Sequence, residues 1–291
     1  MEKSITNRVN KETLIRTTNG DVWHKIIGED KRIPLIVVHG GPGCPHDYLE
    51  PLEDLSKYRK IIFYDQIGCG LSSKIDNPDL MVADTFIKEL GEITESLKLD
   101  RFHLLGHSWG SGLVCAFALD KPKGLQSIIL SDSYLITPVW EKDAKRLIKT
   151  LPEPMQRALG IGNLNSDEFK NASTEYYKRY VSRLKERPEA FDKMMRGFSE
   201  VIYTTMWGPK EFLATGTLKS FDLVRRLHEI DYPVLLATGR FDEATPESAE
   251  YFQTLFPNSE VVIFEDSAHY PFWSERNQFI QNVEAFLEQA D

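Results

Sequence analysis

A G-x-S-x-G pentapeptide, Gly106-His107-Ser108-Trp109-Gly110, lies between a short apolar run and a stretch with helical periodicity. A sharp turn from a strand into a helix exposes the serine hydroxyl, and glycines allow the close backbone contacts of such a turn. The start of a helix also favours negative charge that develops there. The pattern predicts Ser108 as a nucleophile. A strand-to-helix turn without chemistry is the alternative.

A second glycine-rich segment, HGGPG at residues 39–43, follows an earlier apolar run. Acyl transfer requires backbone N–H groups aimed at the developing oxyanion, and a loop without side chains can supply one of them. We expect the N–H groups of Gly41 and Trp109 to form this oxyanion hole. A simple tight turn is the alternative explanation of the glycines.

A serine nucleophile also requires a general base and a group that orients the base. His269 lies in a loop between the last apolar run and the final helical pattern, and Asp242 follows the apolar run before it. Loops at the carboxyl ends of parallel strands are where such sheets place their sites. The order Ser, Asp, His fits a triad on a parallel sheet. Asp132 is the main alternative for the acid, and Asp65 is a lesser one.

The elements that must position these residues are short, nearly continuous apolar strands separated by helical patterns. Such strands are typical of a mostly parallel sheet that is covered on both faces. The alternation predicts a doubly wound α/β fold, with an antiparallel hairpin at one edge contributed by residues 21–30. The predicted strands are 34–40, 60–66, 102–108, 126–133, 233–239 and 260–266, and the predicted helices are 80–99, 109–121 and 274–290.

The alternation stops between about residues 135 and 231, where helical periodicity and many aromatic residues replace the strands. We interpret this segment as a helical cap inserted between two parts of the core, residues 1–134 and 232–291. Large apolar side chains are usually buried for packing, so we expect most of the aromatic residues to form the cap's own core and, as a set, to line an apolar pocket. They are Trp140, Tyr176, Tyr177, Tyr180, Phe198, Tyr203, Trp207 and Phe212.

Composition narrows the class of protein further. The net charge of −9 argues against a nucleic-acid partner, and the sequence contains neither an apolar leader nor a run long enough to cross a bilayer. The three cysteines show no C-x-x-C spacing, which suits a reducing compartment. We therefore expect a cytoplasmic protein without disulfides, metal or other cofactors. Cys69 lies in a glycine-rich turn and is a candidate reactive thiol, although an ordinary turn is the simpler reading.

The motifs HGGPG, DQ-x-G-x-G-x-S, GHSWGS, GRFDE and DSAH occur in this order. In this the chain resembles the proline iminopeptidases of the α/β-hydrolase superfamily, close to the tricorn-interacting aminopeptidase group. The likeness runs through nearly the whole chain and includes the cap segment 207–212. It implies the triad Ser108, Asp242 and His269, with Glu211 and Glu243 binding the free α-amino group of the substrate.

The resemblance implies a serine aminopeptidase that releases an N-terminal proline, or another small apolar residue, from short peptides through an acyl-enzyme. An amino-acid amidase or a small-molecule esterase is the alternative, and a non-catalytic binding protein is a third possibility. Association with a larger protease follows by family analogy only. The chain departs from the family at Ile67, where Arg is common, and this departure concerns the packing of the glycine-rich turn.

Overall fold

Eight strands form a single sheet in the computed structural model, which describes residues 9–29 and 32–291. The sheet order is β1-β2-β4-β3-β5-β6-β7-β8; β1, β2 and β4 pair antiparallel, and all other neighbours pair parallel. This confirms the predicted mostly parallel sheet with a hairpin at one edge. Residues 1–8, the start of the first predicted core segment, lie outside the described residues. The strands are β1 Val9–Thr17, β2 Gly20–Gly28, β3 Leu35–Val38, β4 Ile61–Tyr64, β5 Phe102–His107, β6 Leu125–Ser131, β7 Val234–Gly239 and β8 Ser259–Phe264.

The central strands are apolar throughout because both faces of the sheet are covered. Side chains alternate along a strand, so Ile36 and Val38 of β3 pack into one apolar cluster and Leu35 and Val37 into the other. The first cluster includes α1 (Ala83–Leu97) and α2 (Trp109–Leu119). The second includes a 3-10 helix (His46–Lys57) and the final helix of the chain. Each face therefore has its own core.

Helices replace strands between β6 and β7, where residues 137–229 cross one end of the sheet. They are α3 Thr137–Ile148, α4 Glu153–Ile161, α5 Asp167–Tyr180, α6 Glu189–Gly197 and α7 Glu200–Met206, followed by 3-10 helices Thr217–Ser220 and Val224–Glu229. The helical character agrees with the sequence, whereas the division into cap and core units stays a prediction. The chain then adds α8 Pro246–Gln253, α9 Pro271–Ser274 and α10 Arg276–Ala290.

The aromatic residues of this segment divide between two clusters. Tyr176 and Phe212 belong to a cluster that is built mainly from α3, α4 and α5. Trp140, Tyr203 and Trp207 instead belong to the cluster on the α1–α2 face of the sheet. The expectation that most of the aromatic residues form a separate cap core is therefore only half right. Among the helices of the described residues, none combines the length and the apolar character that crossing a bilayer requires.

Candidate active site

Ser108 occupies the turn between β5 and α2, with φ 54° and ψ −121°. This is a strained conformation for a residue with a side chain. It is possible because the neighbouring glycines let backbones approach: a Cβ on Gly106 would lie 2.2 Å from the Gly110 carbonyl oxygen, and one on Gly110 would lie 2.2 Å from that of Val38. The Ser108 N–H donates to the Ser131 carbonyl at 2.9 Å. The turn thus fixes the hydroxyl at the carboxyl end of the central strand.

His269 and Asp242 meet because the strands that precede them, β8 and β7, are neighbours in the sheet. The His269 Nδ1 and the Asp242 Oδ1 are 2.7 Å apart. Because the carboxylate accepts this bond, Nδ1 carries the proton and Nε2 is left as the basic nitrogen. Burial lowers the pKa of His269, and the nearby Asp132 and Glu211 carboxyl groups raise it in part. The imidazole is therefore neutral at neutral pH, as a general base must be.

Two consecutive carbonyl groups at the end of α5 hold both loops of this pair. The Tyr180 carbonyl accepts from the Glu243 N–H at 3.0 Å, and the Val181 carbonyl accepts from the His269 N–H at 3.1 Å. The helical segment therefore does more than cover the sheet, because it sets the position of the residues that carry the acid and the base.

Ser108 lines a small cavity together with both expected oxyanion donors, Gly41 and Trp109. The Trp109 N–H is the first donor of α2 and lacks an intrahelical partner. Gly41 has φ +114°, a backbone conformation that favours glycine. No hydrogen bond joins the Ser108 hydroxyl to His269 among the described residues, and such catalytic bonds often tighten only with substrate. The remaining lining residues are Pro42, Tyr134, Trp140, Trp207, Glu211 and Leu218.

A relay of hydrogen bonds links the glycine loop to the base loop, and it passes through Tyr48. The Gly40 N–H donates to the Tyr48 hydroxyl at 2.7 Å, so the hydroxyl donates to His107 Nδ1 at 2.8 Å. His107 Nε2 then donates to the His269 carbonyl at 2.9 Å. Burial holds the pKa of His107 well below its usual value, consistent with this neutral form. Neither Tyr48 nor the part of His107 in this relay was predicted from the sequence.

Gln66 links the glycine loop to the turn that carries Ser108. Its side-chain amide donates to the His39 carbonyl at 2.8 Å, and its Oε1 accepts from Trp109 Nε1 at 3.0 Å. The neighbouring Asp65 accepts from the His46 ring at 2.7 Å and from the Leu71 N–H at 2.9 Å. Asp65 therefore holds its own loop in place and is not the acid that orients His269.

Cys69 is buried in the same turn, and burial raises the pKa of its thiol well above the usual value. Because the thiolate is the reactive form, both features favour the ordinary turn over a reactive thiol. Ile67, where the family commonly has Arg, is buried in the cluster of the α1–α2 face. Its N–H donates to the buried Glu89 carboxyl at 2.9 Å, and burial raises the pKa of Glu89 to about 8.

Asp132, the main alternative for the acid, lies beside the Asp242–His269 pair. One oxygen of each carboxyl group and a ring nitrogen of His269 all lie within 4.8 Å of one another. Asp132 accepts from the Gly239 N–H at 3.2 Å and from the Ser131 hydroxyl at 2.6 Å. Burial raises its pKa well above the usual value, and the charge of Asp242 adds to the rise. Both effects favour the protonated form of Asp132.

The protonated form of Asp132 would find its acceptor in Asp242. The Asp242 Oδ2 is buried and has no hydrogen-bond partner among the described residues. Burial raises the pKa of Asp242 to about 7, and the hydrogen bond from Asp132 acts in the opposite direction. Asp132 thus favours the ionised form of the acid that orients His269. These three side chains could also ligate a metal ion, but an ion would displace the 2.7 Å bond between His269 and Asp242.

Glu211 and Glu243, the residues expected to bind an amino group, differ in their exposure. Glu211 is partly buried, lines the Ser108 cavity and accepts from the Tyr203 hydroxyl at 2.6 Å. Glu243 is buried, and neither of its carboxyl oxygens has a hydrogen-bond partner within normal geometry among the described residues, although the nearby Tyr176 hydroxyl lowers its pKa. Burial raises the pKa of both groups, and for Glu243 the charges of Glu211 and Asp242 add to the rise. Glu211 is therefore no solvated surface residue.

Residues 33–276 match a family model described as alpha/beta hydrolase fold. The chain is 42% identical to a proline iminopeptidase of Heyndrickxia coagulans, over 95% of this chain and 98% of that protein. It is 36% identical to a proline iminopeptidase of Clostridium botulinum, over 92% of this chain and 95% of that protein. A crystal structure of the proline iminopeptidase of Mycobacterium smegmatis superposes with a TM-score of 0.91 at 30% identity, covering 96% of this chain and 98% of that one.

The positions of Asp132 and Asp242 predict different results from the same substitution. Asp242→Asn should slow fluorophosphonate labelling of Ser108 by on the order of 10⁴-fold, because the amide leaves His269 in the wrong tautomer. Asp132→Asn keeps a donor for Asp242 and should slow labelling by about tenfold or less. Asp132→Leu removes the donor, which raises the pKa of Asp242 and moves the acid limb of the labelling rate to higher pH. A larger effect of Asp132→Asn than of Asp242→Asn would contradict these assignments.

Proposed function

We propose that this chain, which belongs to the proline iminopeptidase family of α/β hydrolases, is a serine aminopeptidase that releases an N-terminal proline, or another small apolar residue, from short peptides. One observation carries the choice of substrate class: Glu211 lines the Ser108 cavity, Glu243 is buried near Glu211 and Asp242, and no Lys or Arg of the described residues forms an ion pair with either carboxyl group. A substrate ammonium is the cation that this arrangement lacks.

The reaction follows from the placement of the side chains. His269 Nε2 takes the Ser108 hydroxyl proton as the oxygen attacks the carbonyl carbon of the first residue. The N–H groups of Gly41 and Trp109 stabilise the oxyanion that forms. His269 then gives the proton to the leaving nitrogen, the peptide bond breaks, and the first residue remains as an ester of Ser108. Water deprotonated by His269 hydrolyses this ester, which frees the residue and restores the serine.

The cavity supports a small first residue. Trp140, Trp207 and Tyr134 give it flat apolar walls, which suit a compact ring such as that of proline.

We also place the activity in the cytoplasm, since the three cysteines are unpaired, as in a reducing compartment.

A panel of chromogenic substrates tests this function directly. Prolyl anilide, N-acetylprolyl anilide and an uncharged ester should be compared with the wild type and with Ser108→Ala. We expect rapid hydrolysis of the free amine, little hydrolysis of its acetylated form, and loss of both activities in the variant. Faster cleavage of the acetylated anilide than of the free amine would favour the esterase or amidase alternative. No turnover and no labelling of folded wild type would favour a binding protein.

Recognition of the ammonium predicts a loss that depends on the substrate's charge. Glu243→Gln and Glu211→Gln should each lower kcat/KM for prolyl anilide, which corresponds to an activation free energy higher by about 1–3 kcal/mol, because a charged partner of the ammonium is lost. Hydrolysis of the uncharged ester is the matched control and should change much less. In the wild type, KM for the amine should rise as pH increases through roughly 7.7–8.0, where a free α-amino group loses its proton. Equal losses on the amine and the ester would contradict this role.

A further inference from the structure

A second, larger space adjoins the Ser108 cavity between α6, α7 and the segment that follows α5. This groove has a volume of about 570 Å³. Glu211 lines both the groove and the small cavity, so the two spaces share this side chain as part of their walls. The Tyr203 hydroxyl, which donates to Glu211, belongs to a residue of the groove wall. The groove therefore lies next to the proposed site.

Both loops that act on the reacting carbonyl extend into the groove. Cys44, which follows the HGGPG segment, lines the groove, as does Tyr270, the residue after His269. His269 must deliver a proton to the leaving nitrogen, so this nitrogen and the chain attached to it lie on the side of the His269 loop. The first residue occupies the small cavity, and the rest of a peptide does not fit there. The groove is the space that adjoins the leaving group.

The chemistry of the groove wall favours an apolar occupant. Residues of α6 and of the segments on either side of it contribute aliphatic, aromatic and thioether side chains to the lining, among them Val181, Leu184, Phe191, Met194, Met195 and Phe198. Met195 is 50% exposed although it lines a concave surface, which leaves its apolar side chain available to a ligand. The charged residues of the lining are Glu186, Arg187, Glu200, Lys210 and Glu211.

We propose that this groove binds the leaving part of the peptide and selects substrates with an apolar side chain at the second residue. The inference rests on the proposed aminopeptidase function and adds to it a preference on the other side of the cleaved bond. Contact of that side chain with Met194 and Met195 removes apolar surface from water, so it lowers the energy of both the bound substrate and the transition state.

The test compares three substrates that share the same first residue: prolinamide, prolyl-glycine amide and prolyl-leucine amide. Ammonia leaves from prolinamide, so this substrate places nothing in the groove, and the amide ends keep the charge constant. We expect kcat/KM for prolyl-leucine amide to exceed that for prolyl-glycine amide by on the order of tenfold. Equal values for the two dipeptide amides would overturn the proposal while leaving the aminopeptidase function intact. Failure to hydrolyse any of the three would contradict the function itself.

Variants locate the preference in the groove. Met195→Ser should lower the ratio of kcat/KM for prolyl-leucine amide to that for prolinamide by about threefold, because one apolar contact is lost. Met195→Leu should preserve most of the ratio. Val201→Ser is the matched control. Val201 lies on the next helix, α7, is 61% exposed and does not line the groove. An equal loss on prolinamide and prolyl-leucine amide in Met195→Ser would overturn the proposal.

Discussion

The site depends on a group of carboxyl side chains that are withdrawn from solvent and have no Lys or Arg partner among the described residues. Asp132 and Asp242 lie within 4.8 Å of His269, Glu211 lies near enough to raise the pKa of His269, and Glu243 lies near Glu211 and Asp242. No Lys or Arg forms an ion pair with any of these acids within the described part of the chain. Burial disfavours the charged form of each carboxyl group, and neighbouring negative charges disfavour it further. A cation in the site would offset both effects. The imidazolium formed during turnover and a substrate ammonium are two such cations.

The fold supplies this arrangement from distant parts of the chain. The carboxyl ends of β5, β7 and β8 bring Ser108, Asp242 and His269 to one edge of the sheet. The helical segment then fixes the loops of the acid and the base through two consecutive carbonyl groups, those of Tyr180 and Val181. A movement of this segment would shift Asp242 and His269 together, because the loops of both residues are bonded to it.

The sequence predicted those features that depend on local pattern. Apolar runs located the strands, and the glycines around Ser108 located the turn, because these signals need only neighbouring residues. The relay through Tyr48 and the position of Asp132 beside Asp242 could not be predicted, since both depend on which side chains meet across the sheet. For the same reason the sequence left two readings of Cys69 open: its turn is glycine-rich like an exposed loop, yet tertiary packing buries it. The sequence likewise predicted that most aromatic residues of the helical segment are buried, but not which residues they pack against.

Proton release on ligand binding tests the central claim most directly. Binding of prolinamide to Ser108→Ala should be measured by calorimetry near pH 7 in buffers of different ionisation enthalpy. If Glu243 is protonated in the free protein, the bound ammonium should displace that proton into the buffer. The account predicts a binding enthalpy that varies with the buffer in the direction of proton release, with the variation reduced when Glu243→Gln is added. A buffer-independent enthalpy, or proton uptake, would contradict it.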